Sequence, residues 1–306
     1  MGKIFNFFIA FVLLTSCHSQ KVKLGLNLTK GEVYFQKMIS NASVIQTVNG
    51  QEMKMNMILN GKMSYKVIDI QDSIYQMEVR YESLSMKMSL PSGVMEFNSE
   101  KNDEKDIFSS ILGVIKNKPF LIKMTKTGKI KEVKNINLLF SNMFEKFPQL
   151  TDMQKQQIQN QLIQAYGEQS FKGNLEMCSA IFSDSPVSKG DKWEIKTKLE
   201  TGMDANMVST YELKEINNSS YLISGASKIE TAKKDPDIQS NGMPLNYNLS
   251  GTMSTEIKIN RKSGWVIESK ISQTIKGTAE IKSNPQMPGG MVIPMTMNNE
   301  MTITEK

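Results

Sequence analysis

Apolar and polar residues alternate along most of the chain. Met53, Met55, Met57 and Leu59 point one way, with Lys54 and Asn56 between them. Leu84, Met86, Met88 and Leu90 repeat the pattern, and Phe120, Ile122 and Met124 form a third set. In the second half the same alternation links Trp193, Ile195 and Leu199, then Ile257 and Ile259, then Ile271 and Ile275. A period of two predicts strands with one apolar and one wet face. Such strands favour antiparallel pairing, because strands of parallel sheets are apolar on both faces. Asn60-Gly61 predicts a hairpin turn. Lys126-Thr127-Gly128-Lys129 and Lys262-Ser263-Gly264-Trp265 each place glycine between strand-like runs.

The period changes between residues 137 and 183. Thr151-Asp152-Met153-Gln154 reads as a capping box, followed by Ile158, Leu162, Ile163 and Ala165 at helical spacing, with Gly167 as the stop. Phe171, Leu175, Cys178 and Phe182 predict a second amphipathic helix that ends before Pro186. A shorter helix over 104–116 puts Ile107, Phe108, Ile111, Leu112 and Ile115 on one stripe.

Three short patterns occur twice in the same order. Lys30-Gly31-Glu32-Val33-Tyr34 matches Lys189-Gly190-Asp191-Lys192-Trp193. The stretch from Tyr65 to Tyr75 matches that from Tyr211 to Tyr221, each with an acidic residue, an isoleucine and a polar turn between two tyrosines. Lys126-Thr127-Gly128-Lys129-Ile130 matches Lys262-Ser263-Gly264-Trp265-Val266. Common order across three blocks predicts a tandem duplication of a β unit. The expected organisation is a signal peptide (1–16), a tether (17–29), a first β unit (30–134), a helical segment (135–183) and a second β unit (184–306). The expected fold class is mainly β with a central helical segment (α+β): duplicated curved antiparallel sheets or half-barrels, helices covering one face. Two small β-barrels side by side are the alternative.

Composition narrows the chemistry. The 306 residues carry one His and two Cys. The histidine is His18, next to Cys17, so the folded body has no imidazole for a Ser-His-Asp or Cys-His site, a His-bound zinc or a His-ligated haem. Of the 37 Lys and Arg residues only Arg80 and Arg261 are arginine, and the lysines are scattered. That is not the clustered basic footprint of a nucleic-acid binder, and no nucleic-acid partner is expected.

The N-terminus reads as an address. Lys3 precedes an apolar stretch from Ile4 to Leu14, too short to span a bilayer and suited to a signal-peptide core. Leu14-Thr15-Ser16-Cys17 resembles a bacterial lipobox, which makes Cys17 the lipid attachment residue. Several acyl chains on one cysteine hold a protein stably at a membrane. His18 stands where many Gram-negative bacteria place an inner-membrane retention aspartate, so outer-membrane attachment on the periplasmic side is expected.

The lipobox, the Lys-Gly-acidic-x-aromatic strand start, the Tyr-centred hairpin and the Lys-[Thr/Ser]-Gly turn together resemble a family of Bacteroidota lipoproteins of unknown function. The resemblance covers nearly the whole chain, and it implies an envelope lipoprotein without bringing any catalytic residue. A curved antiparallel sheet with covering helices also resembles the lipoprotein-carrier and lipid-binding folds of the envelope.

The candidate sites each have a plainer reading. Met53, Met55, Met57, Met86 and Met88, with Met287, Met291, Met295, Met297 and Met301, offer thioethers to a soft metal; strand alternation makes them adaptable core filler instead. A methionine-rich interior suits variable apolar ligands. Asp235 to Gly242 has a hint of calcium-loop spacing but lacks the central glycine and closing glutamate. Asp69 and Glu215 are repeat-equivalent carboxylates expected on outward faces. Cys178 reads as an inert buried thiol. Asp72-Ser73-Ile74 resembles an O-glycosylation acceptor of Bacteroidota. Pro285 to Pro294 reads as an apolar loop. No cofactor or metal is expected. The leading expectation is a non-catalytic lipoprotein binding an apolar or amphipathic ligand. The alternatives are an envelope assembly or scaffold protein binding another protein, and third a carboxylate-based hydrolase.

Overall fold

The structure, a computed structural model, describes residues 21–101, 106–145, 147–200, 204–232, 238–240, 243–284 and 287–305. Its strands are β1 (Val33–Val48), β2 (Gln51–Gln71), β3 (Ile74–Leu90), β4 (Gly93–Asn98), β5 (Phe120–Thr125), β6 (Ile130–Lys134), β7 (Lys192–Glu200), β8 (Asp204–Ile216), β9 (Ser220–Thr231), β10 (Ile238–Ser240), β11 (Met243–Asn260), β12 (Val266–Ile281) and β13 (Met291–Thr304). The helices are α1 (Ile107–Ile115), α2 (Asp152–Tyr166) and α3 (Glu168–Ser179). The fold is mainly β, as the alternation predicts.

Among the described residues, all thirteen strands belong to one sheet in the order β6-β5-β3-β2-β1-β13-β12-β11-β9-β8-β7, with β4 on β3 and β10 on β11. Every pairing is antiparallel. The two predicted β units are therefore neighbours in one sheet, not two barrels, and they meet where β13 of the second pairs with β1 of the first.

The duplicated motifs occupy the same places in each half. Tyr34 pairs with Tyr65 across β1 and β2, and Trp193 with Tyr211 across β7 and β8. Gly31 N–H donates to Val67 O and Gly190 N–H to Leu213 O, both at 2.8 Å. The register slips between Val67 and Asp69 in one half and between Leu213 and Glu215 in the other. A second slip recurs between Lys123 and Met124, and between Lys258 and Ile259. A β-bulge bends its strand and increases local twist, so matching bulges give both halves the same curl.

That curl brings distant strands together. Leu24, Leu26 and Leu28 of the segment before β1 are buried in the main core. The same segment runs between the two repeat-equivalent turns: Leu26 N–H donates to Lys126 O at 2.8 Å and Asn27 N–H to Ser263 O at 2.8 Å. Tyr75 Oη donates to Leu26 O at 2.9 Å and accepts from Leu28 N–H at 3.2 Å. Trp265 ties the halves further: its ring lies 5.1 Å from Tyr34 and 5.3 Å from Tyr65, and its Nε1–H donates to Phe35 O at 3.0 Å. The sheet's two edge strands, β6 and β7, both pack on α3. Glu176 of α3 accepts from the edge amide of Ile130 at 2.7 Å. Trp193 of β7 donates through Nε1–H to Ile181 O, just past α3, at 3.0 Å. Each large apolar side chain buried here contributes roughly 1.5–3 kcal/mol.

Three expectations need correction. Asn60-Gly61 lies inside β2, with Gly61 on the inner face near Leu84 and Met38. The hairpin uses Asn49-Gly50, both at positive φ. A turn dipeptide has no power against strand pairing on both sides. The second helix stops at Ser179, because Ala180 leaves helical geometry; Phe182 is buried by the segment that follows. Met291 to Pro294, read as loop, opens β13. The capping box of α2 is present, with Thr151 and Gln154 in their reciprocal roles.

Gly128 and Gly31 make a test of the closure. Both have positive φ, at 81° and 90°. A Cβ on Gly128 would stand 1.8 Å from Ser179 O, whereas one on Gly31 would meet nothing within 4 Å. Gly31→Ala is expected to cost about 1–2 kcal/mol of backbone strain. Gly128→Ala adds overpacking against the end of α3 and costs about 1–3 kcal/mol more. Urea denaturation of the two variants checks the difference.

Candidate functional site

Directly opposed residues of an antiparallel pair lie on the same face, so the register fixes which side chains line the inner surface. Met53, Met55, Met57 and Leu59 share that face with Tyr65 and Val67, which the core buries. Met57 opposes Met88, and Met88 opposes Met95; Leu59 opposes Met86, and Met86 opposes Phe97. On the other side of β1, Val44 opposes both Met55 and Met297, while Gln46 opposes both Met53 and Met295. Two methionine clusters more than two hundred residues apart in sequence thus become one surface, with β1 as the bridge. Ile275, Ile293, Leu245 and Tyr247 continue it on β12, β13 and β11.

This surface grades from buried to exposed. The lower part is closed by α1, α3 and the core; the Phe108 ring of α1 lies tilted against that of Phe97, 5.0 Å between centroids. Farther along the strands Met55, Met57, Met86, Met88 and Met297 are half-buried, and Met53 and Met95 are 48% and 40% exposed. Polar groups interrupt the apolar lining at few points. Gln273 opposes Asn299, and Ser40 Oγ donates to Asn299 Oδ1 at 2.7 Å. The strand faces turned the other way carry Lys54, Asn56 and Lys62. The inner face is therefore a wide, deformable apolar surface with a short polar belt.

The sheet is bent to form it. A Cβ on Gly251 would lie 2.3 Å from Thr274 O, and one on Gly277, at φ 150°, 2.0 Å from Asn248 O. Glycine lets strands approach and coil where a side chain would hold them apart.

The remaining candidates are dispersed. Cys17 lies outside the described residues, as do Asp235 to Asp237, Asn241 and Gly242 of the loop read for calcium. Asp69 sits on the outer side, ion-paired to Lys30 at 2.8 Å, and this partner holds its carboxyl below the usual range. Glu215, its counterpart, accepts from Asn217 at 3.2 Å. Glu96, Glu132 and Glu212 are likewise lowered by lysines that donate to them. Ser73 is exposed in the β2–β3 turn at φ 67°. Among the described residues no three His, Cys, Asp or Glu side chains are grouped to hold a metal ion. A depression of about 160 Å³ on the outer side, between Ile68, Gln76, Lys123 and Glu132, is too small for a drug-sized ligand.

Cys178 lies on α3 against the inner face, packed on the cluster of Met207, Met253 and Met301. Burial pushes its thiol up to about 12, and Tyr211 beside it likewise to about 12. Burial also raises Tyr65 and Tyr81 well above the ordinary phenol range. A buried acid whose folded pKa is raised stays protonated in the native state after the unfolded chain has ionised. The unfolded state then holds fewer protons, and stability falls as pH rises. Stability is expected to be independent of these groups below about pH 8. It should decline from about pH 9, where an unfolded thiol ionises, and more steeply from about pH 10, where unfolded phenols join. Urea midpoints measured between pH 7 and 11 check this, and Cys178→Ala should remove the earlier part of the decline.

No curated protein matches this sequence. Among solved structures the chain is similar to lipovitellin, described for its lipid–protein interactions, at 8% identity and a TM-score of 0.49. That match covers 92% of this chain and 25% of lipovitellin, so the chain spans about a quarter of that protein's length. An exported protein with a YmcC-like fold from Bacteroides fragilis matches at 10% identity and a TM-score of 0.24, covering 90% of this chain and 97% of its own. An outer membrane lipoprotein-sorting protein domain from Vibrio parahaemolyticus matches at 9% identity and a TM-score of 0.13, covering 87% and 83%. A family profile matches residues 72–266, and on that match the chain belongs to the family of unknown function DUF6263.

Proposed function

We propose that this protein is a non-catalytic lipoprotein of the bacterial envelope that binds an apolar or amphipathic ligand on its methionine-lined inner face. The carrying observation is the graded surface itself. Met55, Met57, Met86, Met88 and Met297 continue the buried core outward yet stay half-exposed. Methionine has three rotatable bonds and a polarisable sulfur, so such a surface adapts to acyl chains or other apolar bodies of varied shape. The polar belt of Gln273, Asn299 and Ser40 would take the hydrogen-bonding part of an amphipathic ligand. The lipobox at Cys17 supports attachment to the outer membrane on the periplasmic side, and the motifs shared with Bacteroidota lipoproteins support that source.

A second reading is an assembly protein that binds another protein. It rests on β4, which pairs only with β3 among the described strands, and whose outward Val94 is 60% exposed. An extended segment of a partner could add to such an edge.

Native mass spectrometry of the chain from His18 onward, prepared from an envelope without detergent, tests the leading reading. A retained apolar species, identified by organic extraction, is the expected result. Met57→Glu with Met88→Glu should weaken its binding by roughly 100-fold or more, since each methionine contributes about 1.5–3 kcal/mol of burial, while circular dichroism stays that of the parent. A clean apo mass that takes up no offered lipid would sink the ligand reading and leave the partner reading.

A further inference from the structure

The hairpin end of the sheet gathers cations in a way the sequence hides. Lys126 and Lys129 stand on the β5–β6 turn, Arg261 and Lys262 on the β11–β12 turn, and Lys21 and Lys23 on the segment that threads between them. The backbone bonds of Leu26 and Asn27 to Lys126 O and Ser263 O, and that of Asn27 Nδ2 to Lys262 O at 3.2 Å, hold these three pieces together. All six side chains belong to exposed residues. None of the six forms an ion pair among the described residues. Lys23 donates to the Asp184 carbonyl, and Arg261 donates to Asn217 O at 3.0 Å, with its guanidinium over the Tyr221 ring. The acids of the adjoining segments are fewer: Asp69 is paired to Lys30, Asp191 accepts from Ser188 N–H at 2.8 Å, and Asp184 is exposed beside Lys23. Asp72, in the β2–β3 turn, is exposed.

We propose that this end is a docking surface for an anionic lipid bilayer. The basic turns lie at the end where the described chain begins at Lys21, four residues in sequence after the expected anchor at Cys17. Anionic headgroups attract clustered lysines near a membrane, and each contributes about fivefold to partitioning. The geometry also sets an orientation. Met53 lies about eighteen residues up β2 from the hairpin end at Gln71, roughly 50–60 Å away. With the hairpin end on the membrane, the exposed part of the methionine face points away from it. That orientation rests on the ligand reading above; the docking surface does not.

The test uses the chain from His18 onward with Cys17 removed, so that no acyl chain can carry the result. Vesicles of neutral phosphatidylcholine are compared with vesicles containing a third phosphatidylglycerol, by co-sedimentation in low and high salt. Binding to the anionic vesicles alone, released by salt, is expected. Lys126→Gln with Lys262→Gln should lower it by roughly 25-fold. Lys54→Gln with Lys276→Gln, which removes the same net charge from the far part of the sheet, should lower it by less than a few-fold. Equal loss in both pairs would reduce the effect to net charge and overturn the proposal. Binding to neutral vesicles, or binding indifferent to salt, would overturn it by making an apolar part of the surface the one that touches lipid. Absence of binding to either vesicle would also overturn it, and none of these outcomes bears on whether a ligand sits on the methionine face.

Discussion

A sheet this wide leaves two edge strands whose backbone groups want partners, and the fold is organised around satisfying them without closing the hydrogen-bond ladder. Exposed edges invite pairing with other chains. Here α3 stands between β6 and β7, with Glu176 taking the amide of Ile130 and Trp193 reaching Ile181 O. The segment from Val22 to Leu28 does the same at the turns. The closure is made by a helix, by side chains and by the segment before β1, at the end of the strands where the β5–β6 and β11–β12 turns lie. Away from that end the apolar inner face passes from core to surface without a change in residue type.

That transition decides what the methionines are. Met77 and Met124 are buried core residues, while Met53 on the same face is nearly half-exposed. Core packing and half-exposed lining are not alternatives on this face; they are two depths of one surface that crosses neighbouring strands. The soft-metal reading asks for a compact donor set, whereas the register spreads the thioethers across several strands as a sheet of adaptable apolar contacts.

Much of the architecture was legible in the chain. Alternation located the strands, the capping box located α2, and three repeated motifs anticipated matching turns and pairings. What could not be read was the joining of the halves. Nothing in the neighbourhood of β1 or β13 says that Val44 will lie between Met55 and Met297, because strand order depends on long-range pairing. Asn60-Gly61 misled for the same reason: a turn signal is local, and pairing on both sides of β2 overrode it. The site was half legible, since each methionine cluster stood out but their union did not. The basic end escaped notice because its lysines come from three separate stretches that only the curl assembles.

The place of β13 has a consequence for how the molecule is made. It is the last strand in chain order, yet it sits at the centre of the sheet, paired with β1 on one side and β12 on the other. Lys37 meets Thr304 across that seam. During synthesis the first half emerges long before its partner strand. The seam can form only after nearly the whole chain is available, and contacts of such sequence separation form slowly. A polypeptide with this topology stays incompletely folded until late: β1 and β12 each wait with one edge unpaired until the last strand is inserted between them.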